Sequence, residues 1–163
     1  MSLPAVTDDK NAVAPRSEWC AILRDAAIEV FSMMAGITVI VPQETNLPGL
    51  ANITGVIGIG GTMRAIFSLR CSTLAAAKIA SQMLGVSMAD AEVNKYDAIG
   101  EICNIVAGHF KAKIGLGDKC VLSIPTVVSG GDYRIHSLMA DERLELPLLC
   151  EGEPIWIALE IRK

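Results

Sequence analysis

No apolar run in this 163-residue chain approaches the roughly 18–20 residues that a membrane-spanning helix needs, although 52% of its residues are apolar. Gly, Pro and charge break the runs, so a soluble chain with no membrane contact is expected. A basic patch is also missing. Fourteen Lys and Arg are scattered among 18 Asp and Glu, for a net charge of −4, which gives none of the electrostatic footprint of a nucleic-acid binder. The five cysteines (Cys20, Cys71, Cys103, Cys120 and Cys150) are odd in number, widely spaced and set mostly in apolar stretches. They read as buried thiols of a reducing, cytoplasmic compartment and not as a disulfide framework. His109 and His136 are the only histidines and lack ligand spacing, so no metal site is expected. There is no Gly-x-Ser-x-Gly nucleophile elbow, and Ser129 before Gly130-Gly131 reads as a turn. Gly58-x-Gly60-Gly61 is followed by a strand-like run where a phosphate loop would need a helix N-terminus, so it reads as part of a hairpin.

The length suits one domain with one core. Residues 1–16 contain Pro4, Asp8, Asp9, Lys10 and Pro15 with no apolar segment of the signal-peptide kind. They are expected to be a disordered leader to a single domain over 17–163. Ser17 is placed to cap a helix running to about Met34, with Trp19, Ile22, Ala26, Val30, Phe31 and Met34 at steps of three and four and Gly36 as its stop. A β-branched strand is expected over 37–41. Two strands are expected within 52–70, turning at Gly60-Gly61, with Met63, Ala65, Phe67 and Leu69 on one face. Ser72 or Thr73 opens an Ala-rich helix that Gly85 closes, and Ser87-Met88-Ala89-Asp90 reads as a capping box for a longer helix ending near Gly115. Strands are expected over 121–128, 133–138, 144–150 and 155–161, and Trp19 and Trp156 in the core. Helices grouped between hairpins predict an α+β fold, a mainly antiparallel sheet with long helices packed on one face.

An internal repeat orders these elements. Residues 25–36 (DAAIEVFSMMAG) align without gaps on 97–108 (DAIGEICNIVAG), sharing Asp, Ala, Glu, Ala and Gly. Each helix is followed by strands and a hairpin. Two pseudo-symmetric halves explain this, and chance similarity of two Ala-rich amphipathic helices is the alternative. In the second copy Ile99, Ile102, Cys103, Val106, Phe110 and Ile114 form one apolar stripe, leaving Asp97, Glu101, Asn104, Gly108 and Lys111 opposite. Glu101 and Asn104, three apart, can reach one external object. Asn and Gly are poor helix formers, so this stripe is badly chosen for stability alone. Either another molecule approaches the helix closely, or the face is ordinary solvated surface with glycines for packing.

The pattern Asp97-x-x-x-Glu101-x-x-Asn104, then Ala107-Gly108, then Pro125-Thr126-Val127-Val128-Ser129-Gly130, resembles the signature of the CheC, CheX and FliY chemotaxis phosphatases. The likeness spans most of the chain from about Ser17. It implies that Glu101 pairs with the active-site lysine of a CheY-like response regulator and that Asn104 orients water for attack on its aspartyl phosphate. Asp97, Gly108, Lys111 and Pro125 would border the partner. The chemistry fits these residue types. An acyl phosphate is already activated, so catalysis is mostly positioning. A carboxamide can both donate to and accept from one water. No cofactor is then needed on this chain, and the Mg ion would belong to the partner. Ser32 stands where the first copy would carry Asn, which favours one centre per chain, the CheX arrangement. The resemblance to CheX separately implies a homodimer formed through strand contacts. The interval from Asn104 to Pro125 is shorter than the family pattern, which throws doubt on the loop at Gly115-Leu116-Gly117-Asp118. The competing reading is a non-catalytic signalling adaptor on the same scaffold.

Overall fold

The structure, a computed structural model, describes residues 12–131, 133, 135, 137, 138 and 140–163. Helix α1 (Trp19–Ala35) is entered through a 3-10 turn at Arg16–Glu18, with Ser17 inside that turn and not capping the helix. The entry is fixed by Trp19, which is buried and donates from Nε1 to Ala14 O at 2.9 Å. Ala14 N also donates to Ile114 O at 3.0 Å, so the segment before α1 is tied to the end of the third helix. Gly36 stops α1 in the left-handed conformation at φ 61°. Ser72 is the cap of α2 (Thr73–Leu84), its Oγ accepting from Ala75 N at 3.0 Å, and Gly85 closes the helix. Ser87 caps α3 (Met88–Lys113) through Asp90 N at 3.2 Å.

Among the described residues seven strands make one antiparallel sheet: β1 (Val39–Ile40), β2 (Ile53–Gly61), β3 (Arg64–Cys71), β4 (Cys120–Leu122), β5 (Thr126–Ser129), β6 (Glu142–Cys150) and β7 (Glu153–Arg162). Their order is β1-β6-β7-β3-β2, with β4 and β5 both on the free edge of β2. Exchanging β1 with β4–β5, β2 with β6 and β3 with β7 reverses this order and leaves it unchanged. The halves α1-β1-β2-β3 and α3-β4/β5-β6-β7 are therefore related by a pseudo-two-fold between β3 and β7, as the repeat implied. Alternation along β3 and β7 sends Phe67, Leu69, Ile155, Ile157, Leu159 and Ile161 into the core under the helices. Gly55 of β2 lets α3 close on the sheet, because a Cβ there would stand 2.4 Å from Cys103 Sγ. No helix among the described residues is long and apolar enough to cross a membrane.

Four local expectations change. Gly60-Gly61 does not turn the hairpin; both residues stay in β2 to pair with Val121 and Cys120, and the chain turns at Thr62-Met63. The strand over 121–128 is broken by a bulge, since Ser123, Ile124 and Pro125 lie opposite only Ile57 and Gly58. Pro125 has no N–H for the ladder, and Ser123 takes over, accepting from Gly58 N at its Oγ and donating from its own N to Gly58 O, both at 2.9 Å. The described residues of 133–138 (Tyr133, Ile135, Ser137 and Leu138) are outside strands, and Arg134 and His136 lie outside the described residues. Trp156 is not in the core. Its neighbours Ile155 and Ile157 point inward, so it faces outward, half-buried, with the Arg70 guanidinium 5.7 Å from its ring centre.

Candidate functional site

Helix α3 divides cleanly along its length. Ile99, Ile102, Cys103, Val106 and Phe110 are fully buried, and Phe110 meets Trp19 edge-on at 5.8 Å between ring centres. That packing fixes the helix rotation, and so fixes what the other side presents. Asp97 and Glu101 are exposed and Asn104 is half-buried. Among the described residues neither the Glu101 carboxylate nor the Asn104 carboxamide has a hydrogen-bond or ion-pair partner within the chain, so both are available to a second molecule.

The glycines of this stripe face the chain itself. A Cβ on Gly100 would lie 3.5 Å from Pro125 Cβ and 3.7 Å from Val127 Cγ2, and one on Gly108 would lie 3.9 Å from Leu122 Cδ1. Gly100 and Gly108 sit one turn before and after Asn104, so the helix brings Asn104 alongside the bulge between Leu122 and Pro125. Of the alternatives left by the sequence, packing against the chain's own strand edge accounts for Gly100, which is buried. Lys111 is half-buried and turned to the loop. Its Nζ donates to Gly117 O and Cys120 O, so it ties down 115–120, the segment with the irregular length. Asp97, Glu101, Asn104 and Pro125 are thus brought to one region, while the Lys111 ammonium is engaged beneath the loop.

Asp97 and Glu101 also wall a groove of about 290 Å3 with Asn94, Ala98, Met83 and Leu84. The sequence reading missed this groove. Its one sequence signal was Leu84, an apolar residue directly before the Gly85 stop of α2. Upstream, buried Lys95 pairs with Glu92, whose hydrogen bond raises the lysine pKa, so it stays charged. The first copy of the motif is differently placed. Asp25 pairs with Arg24 at 3.1 Å, and Glu29 pairs with Lys113 at 2.9 Å with His109 Nδ1 at 4.0 Å. Ser32 is exposed.

Residues 53–149 match the family described as chemotaxis phosphatase CheX. The chain belongs to the CheX family. It is 33% identical over 108 residues to the CheY-P phosphatase CheX of Thermotoga maritima, covering 63% of this chain and 67% of the relative. In fold it is similar to the chemotaxis protein CheX of Desulfovibrio desulfuricans, with a TM-score of 0.75 at 23% identity over 89% of this chain and 99% of the other. It is also similar to the CheX-CheY-BeF3-Mg complex of Borrelia burgdorferi, with a TM-score of 0.74 at 19% identity over 91% of this chain and all of that one. Within the CheX fold, α3 and the β4–β5 edge carry the region built above.

Proposed function

We propose that this chain is an aspartyl-phosphate protein phosphatase acting on a phosphorylated CheY-like response regulator, with Asn104 orienting the attacking water and Glu101 pairing with the regulator's lysine. The observation that carries this reading is a carboxylate and a carboxamide, one turn apart on an outward face of a rigid helix, both without partners among the described residues. Membership in the CheX family and the name of the Thermotoga relative support the reaction class.

The division of labour follows from side-chain chemistry. The Asn104 amide can accept a hydrogen bond from a water at Oδ1 while its Nδ2 donates to that water's oxygen or to the phosphoryl group, which aligns a lone pair on phosphorus without consuming the residue. Glu101 gives a charge-assisted hydrogen bond to an ammonium and thereby sets the docking register. The charge on the phosphoryl oxygens is met by the partner's own lysine and Mg ion, so this chain supplies position and not a metal. Water adds to phosphorus, the P–O bond to the aspartate breaks, and the regulator regains its carboxylate while inorganic phosphate leaves.

The test is phosphate release from a CheY-like receiver phosphorylated with acetyl phosphate, with wild-type chain and with Asn104→Ala. Turnover by the wild type and its loss in the variant are expected. Equal rates would sink the mechanism, and tight binding by a wild type that never turns over would make the chain an adaptor. A homodimer in the cytoplasm belongs to the same reading. The short edge strand β1, with Ile40 and Val41 more than half exposed, supports pairing between copies, which sedimentation checks.

A further inference from the structure

Apolar surface borders the Glu101–Asn104 pair on both flanks of α3. On one flank, the groove of about 290 Å3 has buried Ala98 and half-buried Met83 in it and Leu84, 51% exposed, on its wall. On the other, Ile124 stands 88% exposed at the tip of the bulge beside Asn104. That bulge is held rigidly, by Ser123 on Gly58 from one side and by Pro125 packed toward Gly100 from the other. Ile124 is therefore fixed outward by the backbone and is not a side chain that has simply failed to find a place. Single exposed apolar residues are ordinary on any surface. Two that flank a Glu/Asn pair without partners among the described residues, one on the wall of a groove and one protruding, form a shape.

Resting on the phosphatase reading above, we propose that Leu84 with its groove and Ile124 are the docking contacts that select the receiver. The groove takes an apolar side chain standing next to the lysine that meets Glu101, and Ile124 rests on the receiver surface across the phosphorylated aspartate. Three observations fix the occupant. The groove shares Asp97 and Glu101 with the site, so whatever brings a cation to Glu101 also covers the groove. Neither carboxylate has an ion pair among the described residues, which calls for a basic surface around the apolar one. The two patches are separated by the width of α3, about 10 Å, which a folded protein face spans and a small metabolite does not. Anchors of this kind act on affinity, since apolar contacts made equally before and during reaction do not alter the chemical step.

The experiment uses the full chain and a CheY-like receiver from the same genome, phosphorylated with acetyl phosphate for kinetics or loaded with beryllofluoride and Mg for calorimetry. Leu84→Asn and Ile124→Asn are each expected to raise KM and the Kd for the loaded receiver about tenfold, with kcat within twofold and the melting temperature of the free chain unchanged. Leu84→Met is expected to restore the wild-type KM. If both Asn variants keep the wild-type KM and Kd while Asn104→Ala abolishes turnover, the docking inference is overturned and the phosphatase reading stands. A loss confined to kcat overturns it equally. If Asn104→Ala turns over like wild type, the phosphatase reading fails and the docking inference goes with it.

Discussion

Glu29 in α1 and Glu101 in α3 hold corresponding places in the repeat, yet Glu29 is bound to Lys113 at 2.9 Å while Glu101 has no partner among the described residues. The difference originates at the matching glycines. After Gly36 come Ile37, Thr38 and Val39, β-branched residues that favour a strand, and the first helix ends in a left-handed turn. After Gly108 come His109 to Lys113, with Phe110 anchored against Trp19, and the second helix runs on. That extension delivers Lys113 and His109 to Glu29. One copy of the motif was thus turned into a helix–helix contact by the overhang of the other. A duplicated motif yields two sites only if neither copy covers its twin.

The comparison breaks most readily at the amide position. Asn104→Ala is expected to lower phosphate release from a phosphorylated receiver about 100-fold, as misplacing a reacting group does. Adding Ser32→Asn to that variant should restore nothing, because Glu29 remains held by Lys113; recovery of even a tenth of wild-type turnover would falsify the view that the first copy is spent. The glutamates come next. Glu101→Gln should raise KM about tenfold through loss of a charge-assisted contact. Glu29→Gln should leave KM alone and cost about 0.5 kcal/mol of stability, as expected for a pair whose side chains are both more than a third exposed.

The aligned glycines give effects of opposite sign. Gly36→Ala is expected to destabilise by about 1 kcal/mol, since its φ of 61° is disfavoured for a residue with a Cβ. Gly108→Ala should stabilise by up to about 1 kcal/mol, its methyl group meeting Leu122 at an ordinary 3.9 Å inside a helix. Equal signs in thermal unfolding would mean that the two helices do not differ at this point as described.

The remaining comparison concerns Cys103, which stands where α1 has Phe31 and packs against the backbone of Gly55. Burial, reinforced by Cys71, pushes its thiol pKa well above the ordinary 9.0, and burial likewise brings Cys71 and Cys150 up to about 12. The folded chain keeps these thiols protonated where the unfolded chain ionises them. Stability should therefore decline as pH rises above 9 and continue to fall toward 12. A denaturation midpoint that rose between pH 8 and 10 would contradict this.

Much of the fold was legible because its signals are local. The Ser72 and Ser87 caps, the Gly36 and Gly85 stops, and the alternation of Met63, Ala65, Phe67 and Leu69 each depend on neighbours within a turn or a strand pair. The misread places depend on distant partners. Gly60-Gly61 stays within β2 because Val121 and Cys120 pair with it, and the run over 121–128 breaks because Pro125 cannot bond to β2. Trp156 faces outward because its register sets it beside Arg70 and Pro147 on the open side of the sheet.

Where helices start and stop, which stripe of α3 turns inward, and that Glu101 and Asn104 share the opposite side all follow from local residue order, since helical periodicity decides these things over a few residues. That Glu29 is occupied, that Lys111 holds a loop, and that Leu84 and Ile124 flank Glu101 and Asn104 emerged with the packed fold alone. Those outcomes join residues as far apart as Glu29 and Lys113, 84 positions along the chain, and packing of separate elements is what brings such groups within reach.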